Sequence, residues 1–315
     1  MGLNRFLKLT PEYRDYVWGG ERLRPGHAPT AEAWVVWEGD RIETGVLAGK
    51  TLREAALEFG ADLLGTRVVA RTQSRFPILV KLLDCAEWLS LQVHPNDEQA
   101  ARLEGPSHFG KTEAWHVLAA QPAARLIAGL KPGVTSAQLA DGIRKGTVEE
   151  ISQYVSVSQG DTIFMPAGTL HSLGPGLFIY EVQQTSDLTY RVFDWGRPQP
   201  ETRRLHIEKS IEVVRPGLTA QVISMPPCGD GARAALVQCE YFTLELLAAS
   251  SRQIELDTQG ETFHAITVIE GAARLESTAG ESLELENSQT ALVPASLGRY
   301  QFRPLGECRA LKACG

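Results

Sequence analysis

The stretch LSLQVHPND, residues 89–97, places Gln92 and His94 two positions apart in a strand-like run. Both side chains then point to one face, about 7 Å apart along the backbone. Two later stretches, GKTEAW at 110–115 and MPAGTLH at 165–171, add Glu113 and His171. Two imidazoles, one carboxylate and one amide oxygen suit a zinc-like divalent ion that keeps an exchangeable position for water or substrate. Taken singly, each residue has a plainer reading: a lone strand histidine is a satisfied structural group, and a strand carboxylate is a solvated one. Lys111, two residues before Glu113, and Arg191, in TSDLTYR at 185–191, are likewise surface charges when taken alone, and Asp187 can merely cap a turn. His27, His108 and His206 have no partner pattern and are read as structural. His116 falls on the opposite strand face from Glu113 and is read the same way.

Positioning such a set requires many strands, and the chain supplies them. TAEAWVVWEGDRIETGVL reads as two short strands broken by EGD. FPILVKLLDCAEWLSLQVHP, 76–95, is nearly all strand with an interruption at CAE, a hairpin that would bring Lys81 and Gln92 into one sheet. GKTEAWHVLAA reads as a strand with Lys111, Glu113 and Trp115 on one face. Helices are few. Thr51 with Glu54 forms a capping box before LREAALEF, a short helix follows at NDEQAARLE, and HIEKSIEVV is another. Between 135 and 154 the composition turns helical, with Thr135 before SAQLADGIRKG and a second capping box from Thr147 and Glu150 before ISQYV. YVWGGERL, 16–23, reads as a turn closing an edge strand.

An internal echo organises the rest. SVSQGDTIFMPAGTLH (156–171) and LELENSQTALVPASLGR (283–299) share a turn, a threonine, an apolar triplet and Pro-Ala. Five residues after Pro166 stands His171, and five after Pro294 stands Arg299. The pattern predicts a mainly β protein of two jelly-roll barrels with a small helical insertion. The boundaries are 1–219 for a metal-binding domain, insertion included, and 220–315 for a second barrel without metal. His264 stands alone in that second part.

Bulk properties narrow the function. The chain has 315 residues, 43% hydrophobic, and a formal net charge of −7, so no basic excess favours a nucleic-acid surface. No apolar run approaches the roughly 18–20 residues that span a bilayer, and the first residues lack a signal-peptide core. Five cysteines, odd in number and without a CxxC pair, fit a reduced, cytoplasmic protein.

With these pieces assembled, the chain resembles the type I mannose-6-phosphate isomerases, in their short bacterial form. The likeness is carried in order by YVWGG, FPILVKLLDC, LSLQVHPND, GKTEAW, GDTIFMPAGTLHSLG and QQTSDLTYRVFDWGR, and covers roughly residues 10 to 215. The resemblance implies a cupin fold with one metal-bearing barrel, usually zinc, held here by Gln92, His94, Glu113 and His171. It implies that Arg191, Lys111 and Asp187 are catalytic and that Ser90, Arg197 and Trp18 (of YVWGG) meet the sugar phosphate. The substrate is then a small phosphosugar and the protein a monomer or homodimer, with neither nucleic acid nor membrane as partner. One position departs: larger members have a histidine just before that lysine, and here it is Gly110.

Isomerising an aldose phosphate to a ketose phosphate moves a proton between adjacent carbons through an enediolate. A divalent cation and a fixed arginine or lysine would stabilise its charge. Arg191 cannot give up its proton, so its part is electrostatic; Lys111 can, and is the candidate base. A histidine, or Asp187 acting through water, stays open as an alternative. Two competing functions are a sugar-binding or regulatory cupin that retains the metal, and an iron-dependent cupin oxygenase. The Gln ligand, with Ser90 and Arg197 on the phosphate side, argues against the oxygenase.

Overall fold

β-Branched and aromatic residues recur in short runs between Gly, Pro, Asn and Asp turns, and the chain is accordingly built mainly of antiparallel strands. The computed structural model describes residues 3–27, 29–43 and 45–315. It divides into two units. One comprises the residues up to Glu12, Trp34–Val80 and Met225–Gly315; the other comprises Tyr13–Ala33 and Lys81–Ser224.

The division differs from the boundary at 219 and 220 expected from sequence. Near the C-terminal side the break falls a few residues later, but two N-terminal pieces belong with the C-terminal unit. The reason is strand pairing. Leu7–Thr10 lies antiparallel to Thr290–Val293, with Leu7 opposite Leu292 and Lys8 opposite Ala291. That pairing spans nearly the whole sequence and leaves no local signal.

The unit holding the C-terminus stacks two sheets. One runs in the order Ala232–Gln238, Thr243–Ala249, Cys308–Cys314, His264–Glu270, Thr290–Val293, Leu7–Thr10, Arg41–Ile42. The other runs Ile254–Asp257, Arg299–Pro304, Ala272–Ser277, Ser282–Glu286. Leu247, Ile266, Val268, Leu275, Tyr300 and Phe302 form their shared core.

The second unit repeats the plan. Its larger sheet contains, in order, Gln221–Ile223, Thr162–Met165, Glu113–Ala120, Leu177–Gln184 and, from Lys81 onward, the strand Ile78–Cys85. The facing sheet is Tyr190–Phe193, Leu91–Val93, His171–Leu173, Arg125–Leu130, Ser152–Ser156. Trp115, Ile163, Met165 and Ile179 from the first meet Leu126, Ala128 and Leu173 from the second. The echo is visible in this repetition: Thr162–Met165 and Thr290–Val293 each end before a proline, and His171 and Arg299 each open the next strand. Arg299 is exposed and pairs with Asp257 at 3.3 Å, so it belongs to a solvated surface.

Two local expectations are corrected. Ile78–Cys85 and Leu91–Val93 lie in different sheets and do not form the expected hairpin. The intervening residues cross over because their amides are claimed elsewhere: Ala86 and Glu87 donate to the Trp18 carbonyl, and Leu89 donates to that of Leu173. Capping boxes do form at Thr51, Asn96 and Thr135. Thr147 makes no side-chain cap, and only a short 3-10 turn, Val148–Ile151, precedes a strand. There Tyr154 and Val155 pair with Ile127 and Leu126, so β-branched and aromatic packing outweighs the capping signal.

The YVWGG motif has a steric cause. A Cβ on Gly19 would lie 2.6 Å from the Ala31 nitrogen, and one on Gly20 would lie 2.2 Å from Asp84 Oδ2. Only glycine lets the backbone pass so closely.

Candidate metal centre

His171 opens its strand directly opposite Gln92 in the ladder, and Gln92 faces Arg191 on its other side. His94 follows the end of Leu91–Val93, and Glu113 begins its strand in the facing sheet. Two imidazoles, a carboxylate and an amide are thereby brought together between two sheets. His94, Glu113 and His171 are buried, with ligand atoms all within 4.8 Å of one another.

Backbone carbonyls fix both histidine tautomers. His94 Nδ1 lies 2.7 Å from the Leu188 oxygen, and His171 Nδ1 lies 2.8 Å from the Thr169 oxygen. A carbonyl only accepts, so each Nδ1 carries the proton and each Nε2 presents a lone pair. Those two Nε2 atoms are 3.1 Å apart. Glu113 Oε1 is 3.2 Å from His171 Nε2, and Oε2 is 3.5 Å from His94 Nε2. Burial, reinforced by the Lys111 charge, holds His94 well below its ordinary value and His171 down to about 3, so both rings are neutral near pH 7. Burial also lifts Glu113 to about 7 against the lowering effect of Lys111.

Three electron-rich atoms facing one another repel unless a cation lies between them. Ligands bound at 2.0–2.1 Å around a tetrahedral ion are ~3.3 Å apart, which matches the separations found. Glu113 Oε1 is buried with no hydrogen-bond donor among the described residues, as expected of an oxygen reserved for a cation. The donor set therefore fits a divalent metal ion.

Gln92 is beside this group. Its Nε2 lies 3.3 Å from His171 Nε2, and Ser90 Oγ donates to its Oε1 at 3.4 Å. Turning the amide over would offer the oxygen to an ion and let Nε2 donate to Ser90. Lys111 Nζ lies 2.9 Å from His94 Nε2 and 2.5 Å from Glu113 Oε2. It would compete with an ion for those lone pairs.

Other sequence-selected residues separate into groups. Arg191 is half-buried; among the described residues its Nε has no hydrogen-bond partner, and NH1 donates to the Arg204 carbonyl at 3.3 Å. It forms no ion pair among the described residues and is free to meet an anion. Asp187 is exposed in the turn before it. Arg197 is engaged elsewhere: its guanidinium donates to the Trp88 carbonyl, to Asp194 and to Glu87. Trp18 is 5% exposed within the core, its ring 5.9 Å from that of Tyr16. The structure thus gives Arg197 and Trp18 packing and ion-pair roles. Gly110 likewise has a steric explanation, since a Cβ there would come within 2.5 Å of the Asn96 carbonyl carbon.

Sequence reasoning missed the charged group beneath the centre. Lys81 Nζ lies 3.2 Å from Glu181 Oε2 and 3.6 Å from Glu32 Oε2. Trp115 Nε1 donates to Glu181 Oε1 at 2.8 Å, and the Trp115 ring packs edge-on to His171. Burial alone would raise Glu181, but Lys81 and Lys111 outweigh it and bring it to about 2. The available signal was a lysine inside the apolar run ILVKLL, because a charge in a fully buried strand needs a partner.

Comparison with known proteins agrees with these features. Residues 6–114 match the family model for the type I phosphomannose isomerase catalytic domain. The chain is 32% identical to mannose-6-phosphate isomerase ManA of Bacillus subtilis (strain 168), covering 96% of this chain and 97% of that one. It is 31% identical to the mannose-6-phosphate isomerase of Streptococcus mutans, covering 94% of each. The crystal structure of the Bacillus subtilis mannose 6-phosphate isomerase superposes with a TM-score of 0.86 at 28% identity, over 98% of this chain and 99% of that one.

Proposed function

The chain belongs to the type I phosphomannose isomerases, and from that premise we propose that it interconverts mannose 6-phosphate and fructose 6-phosphate at the His94–Glu113–His171 centre. The ion we assign there is zinc, because two neutral imidazoles, a carboxylate and an amide oxygen form a nitrogen- and oxygen-rich set of tetrahedral dimensions. Gln92, His94, Glu113 and His171 would hold it. When bound, such an ion supplies Lewis-acid polarisation of the sugar's carbonyl and hydroxyl oxygens.

The protein's own groups account for the rest of the chemistry. Arg191 keeps its proton at all working pH values, and its unpaired guanidinium is suited to the phosphate or to the charge of an enediolate. Among the described residues Lys111 is the one primary amine hydrogen-bonded to the ligand set, and we assign it the proton transfer between C1 and C2. Asp187, exposed at the turn before Arg191, is assigned to the mouth of the site. Ser90 holds Gln92. The observation that carries this reading is the convergence of two Nε2 lone pairs and a donor-free carboxylate oxygen inside a buried cup.

Gly110, the position where larger relatives differ, is explained by packing and favours neither an active enzyme nor a binding protein. No described helix is long and apolar enough to cross a membrane. The five free cysteines support the assignment to a reducing, cytoplasmic compartment. A coupled assay for fructose 6-phosphate formation, with and without chelator, tests the function.

A further inference from the structure

Gln183 is fully buried on the Leu177–Gln184 strand, directly opposite Glu113 in the antiparallel ladder. Directly opposed residues share a face, with Cβ atoms about 4.5–5.5 Å apart, so Gln183 and Glu113 project to the same side. The next pair on that face, Trp115 and Glu181, confirms that orientation by its side-chain hydrogen bond. The Gln183 amide cannot turn over. Its Nε2 donates to the Gln184 carbonyl at 2.9 Å and to the Ser186 carbonyl at 2.5 Å, which engages both amide hydrogens. Its Oε1 is thereby fixed as an acceptor, and among the described residues it has no donor. Glu113 Oε1, across the ladder, is donor-free as well.

Two neighbouring acceptors without donors are not explained by packing. A buried, unsatisfied carbonyl oxygen costs stability unless some group supplies a proton to it. The carboxylate oxygen is accounted for by a cation. An amide oxygen directly across the ladder then suits an O–H group held beside that cation.

We propose that Gln183 is a positioning residue of the isomerase site: its Oε1 accepts a hydrogen bond from an O–H group held beside Glu113. That group is a hydroxyl at the reacting end of the sugar, or the water that this hydroxyl replaces. The inference rests on the isomerase reading and adds to it a fixed acceptor that orients the reacting carbons. The Nε2 bonds serve the same end, because they tie the amide to the turn that carries Ser186, Asp187 and Leu188, whose carbonyl orients His94.

The test uses the full-length, zinc-loaded protein and Gln183→Met, which keeps the side-chain length and removes the acceptor. Calorimetry would measure the binding of a hexitol 6-phosphate, an acyclic analogue that cannot isomerise, and of inorganic phosphate. Chelator competition would measure zinc affinity without sugar. If the donor is a sugar hydroxyl, hexitol phosphate binding weakens by about three- to tenfold while inorganic phosphate binding is unchanged. If the donor is water, zinc affinity falls by about 10- to 100-fold. Wild-type affinities, or equal weakening of both phosphates, would overturn the proposal. Should the variant not fold, wild-type protein would be titrated with hexitol 6-phosphates lacking the C1 or the C2 hydroxyl. One of them must bind several-fold more weakly than the parent, and equal binding of all three contradicts the inference. Absence of turnover in wild-type protein would refute the isomerase reading separately.

Discussion

The Nε2 atoms of His94 and His171 face each other at 3.1 Å, and neither carries a proton for the other. Each ring has its proton on Nδ1, held by a backbone carbonyl of the same unit. The pair is therefore prearranged for a cation, and removing either ring should remove it. His171→Ala and His94→Ala should each purify with far less than the roughly one ion per chain of an occupied zinc site. Elemental analysis after dialysis against chelator checks this, and unchanged metal in a variant removes that histidine from the site.

Lys111 and Arg191 should separate by chemistry. Lys111→Arg keeps the charge and loses the ability to deprotonate; Arg191→Lys keeps the charge and loses the planar fork. Both should lose about 10²–10³ in kcat, the usual cost of one preorganised group, with metal content intact. Near-normal turnover of Lys111→Arg would remove Lys111 as the base and leave the isomerase assignment standing.

Breaking the buried ion pair beneath the centre should unfold the protein more readily. Lys81→Met leaves Glu181 and Glu32 buried without their cation, a loss of about 3–5 kcal/mol for such pairs. Replacing Lys81 and Glu181 together by apolar residues should cost less than Lys81→Met alone. Chemical denaturation of wild type and the two variants decides it; equal stability of Lys81→Met and wild type would contradict the ion-pair account.

Asp40 gives a pH signature in the other unit. Its carboxyl is buried and accepts from the Trp37 amide at 2.9 Å, and burial pushes it up to about 8 from 3.8. A carboxyl raised on folding contributes full stability below its unfolded value and loses it as pH rises through the folded value. The protein should therefore lose stability from about pH 4 towards pH 8 through this group. Asp40→Asn should remove that slope and gain about 1–3 kcal/mol near pH 8, with no gain at pH 4. Thermal melts across that range measure the difference, and parallel curves would exclude Asp40 as the cause.

Much of the site could be read from the sequence because its residues sit at fixed strand offsets. Gln92 and His94 are two apart, Glu113 opens a strand, and His171 follows a Pro-Ala turn that recurs at Pro294 without its histidine. What the sequence did not reveal depends on partners far away in the chain. Leu7–Thr10 acquires its place only by pairing with Thr290–Val293. Arg197 carries the right motif, but Asp194, Glu87 and the Trp88 carbonyl take its donors. Gln183 looks like an ordinary strand amide until the ladder sets it opposite Glu113.

The central claim is that this buried donor set, loaded with a divalent ion, isomerises a phosphosugar. The most direct measurement is the rate of fructose 6-phosphate formation from mannose 6-phosphate by the zinc-loaded protein, the chelated protein and the chelated protein given zinc again. The account predicts turnover in the first, its loss in the second and its return in the third. Full activity after the metal has been removed, or none in the zinc-loaded protein, would contradict it.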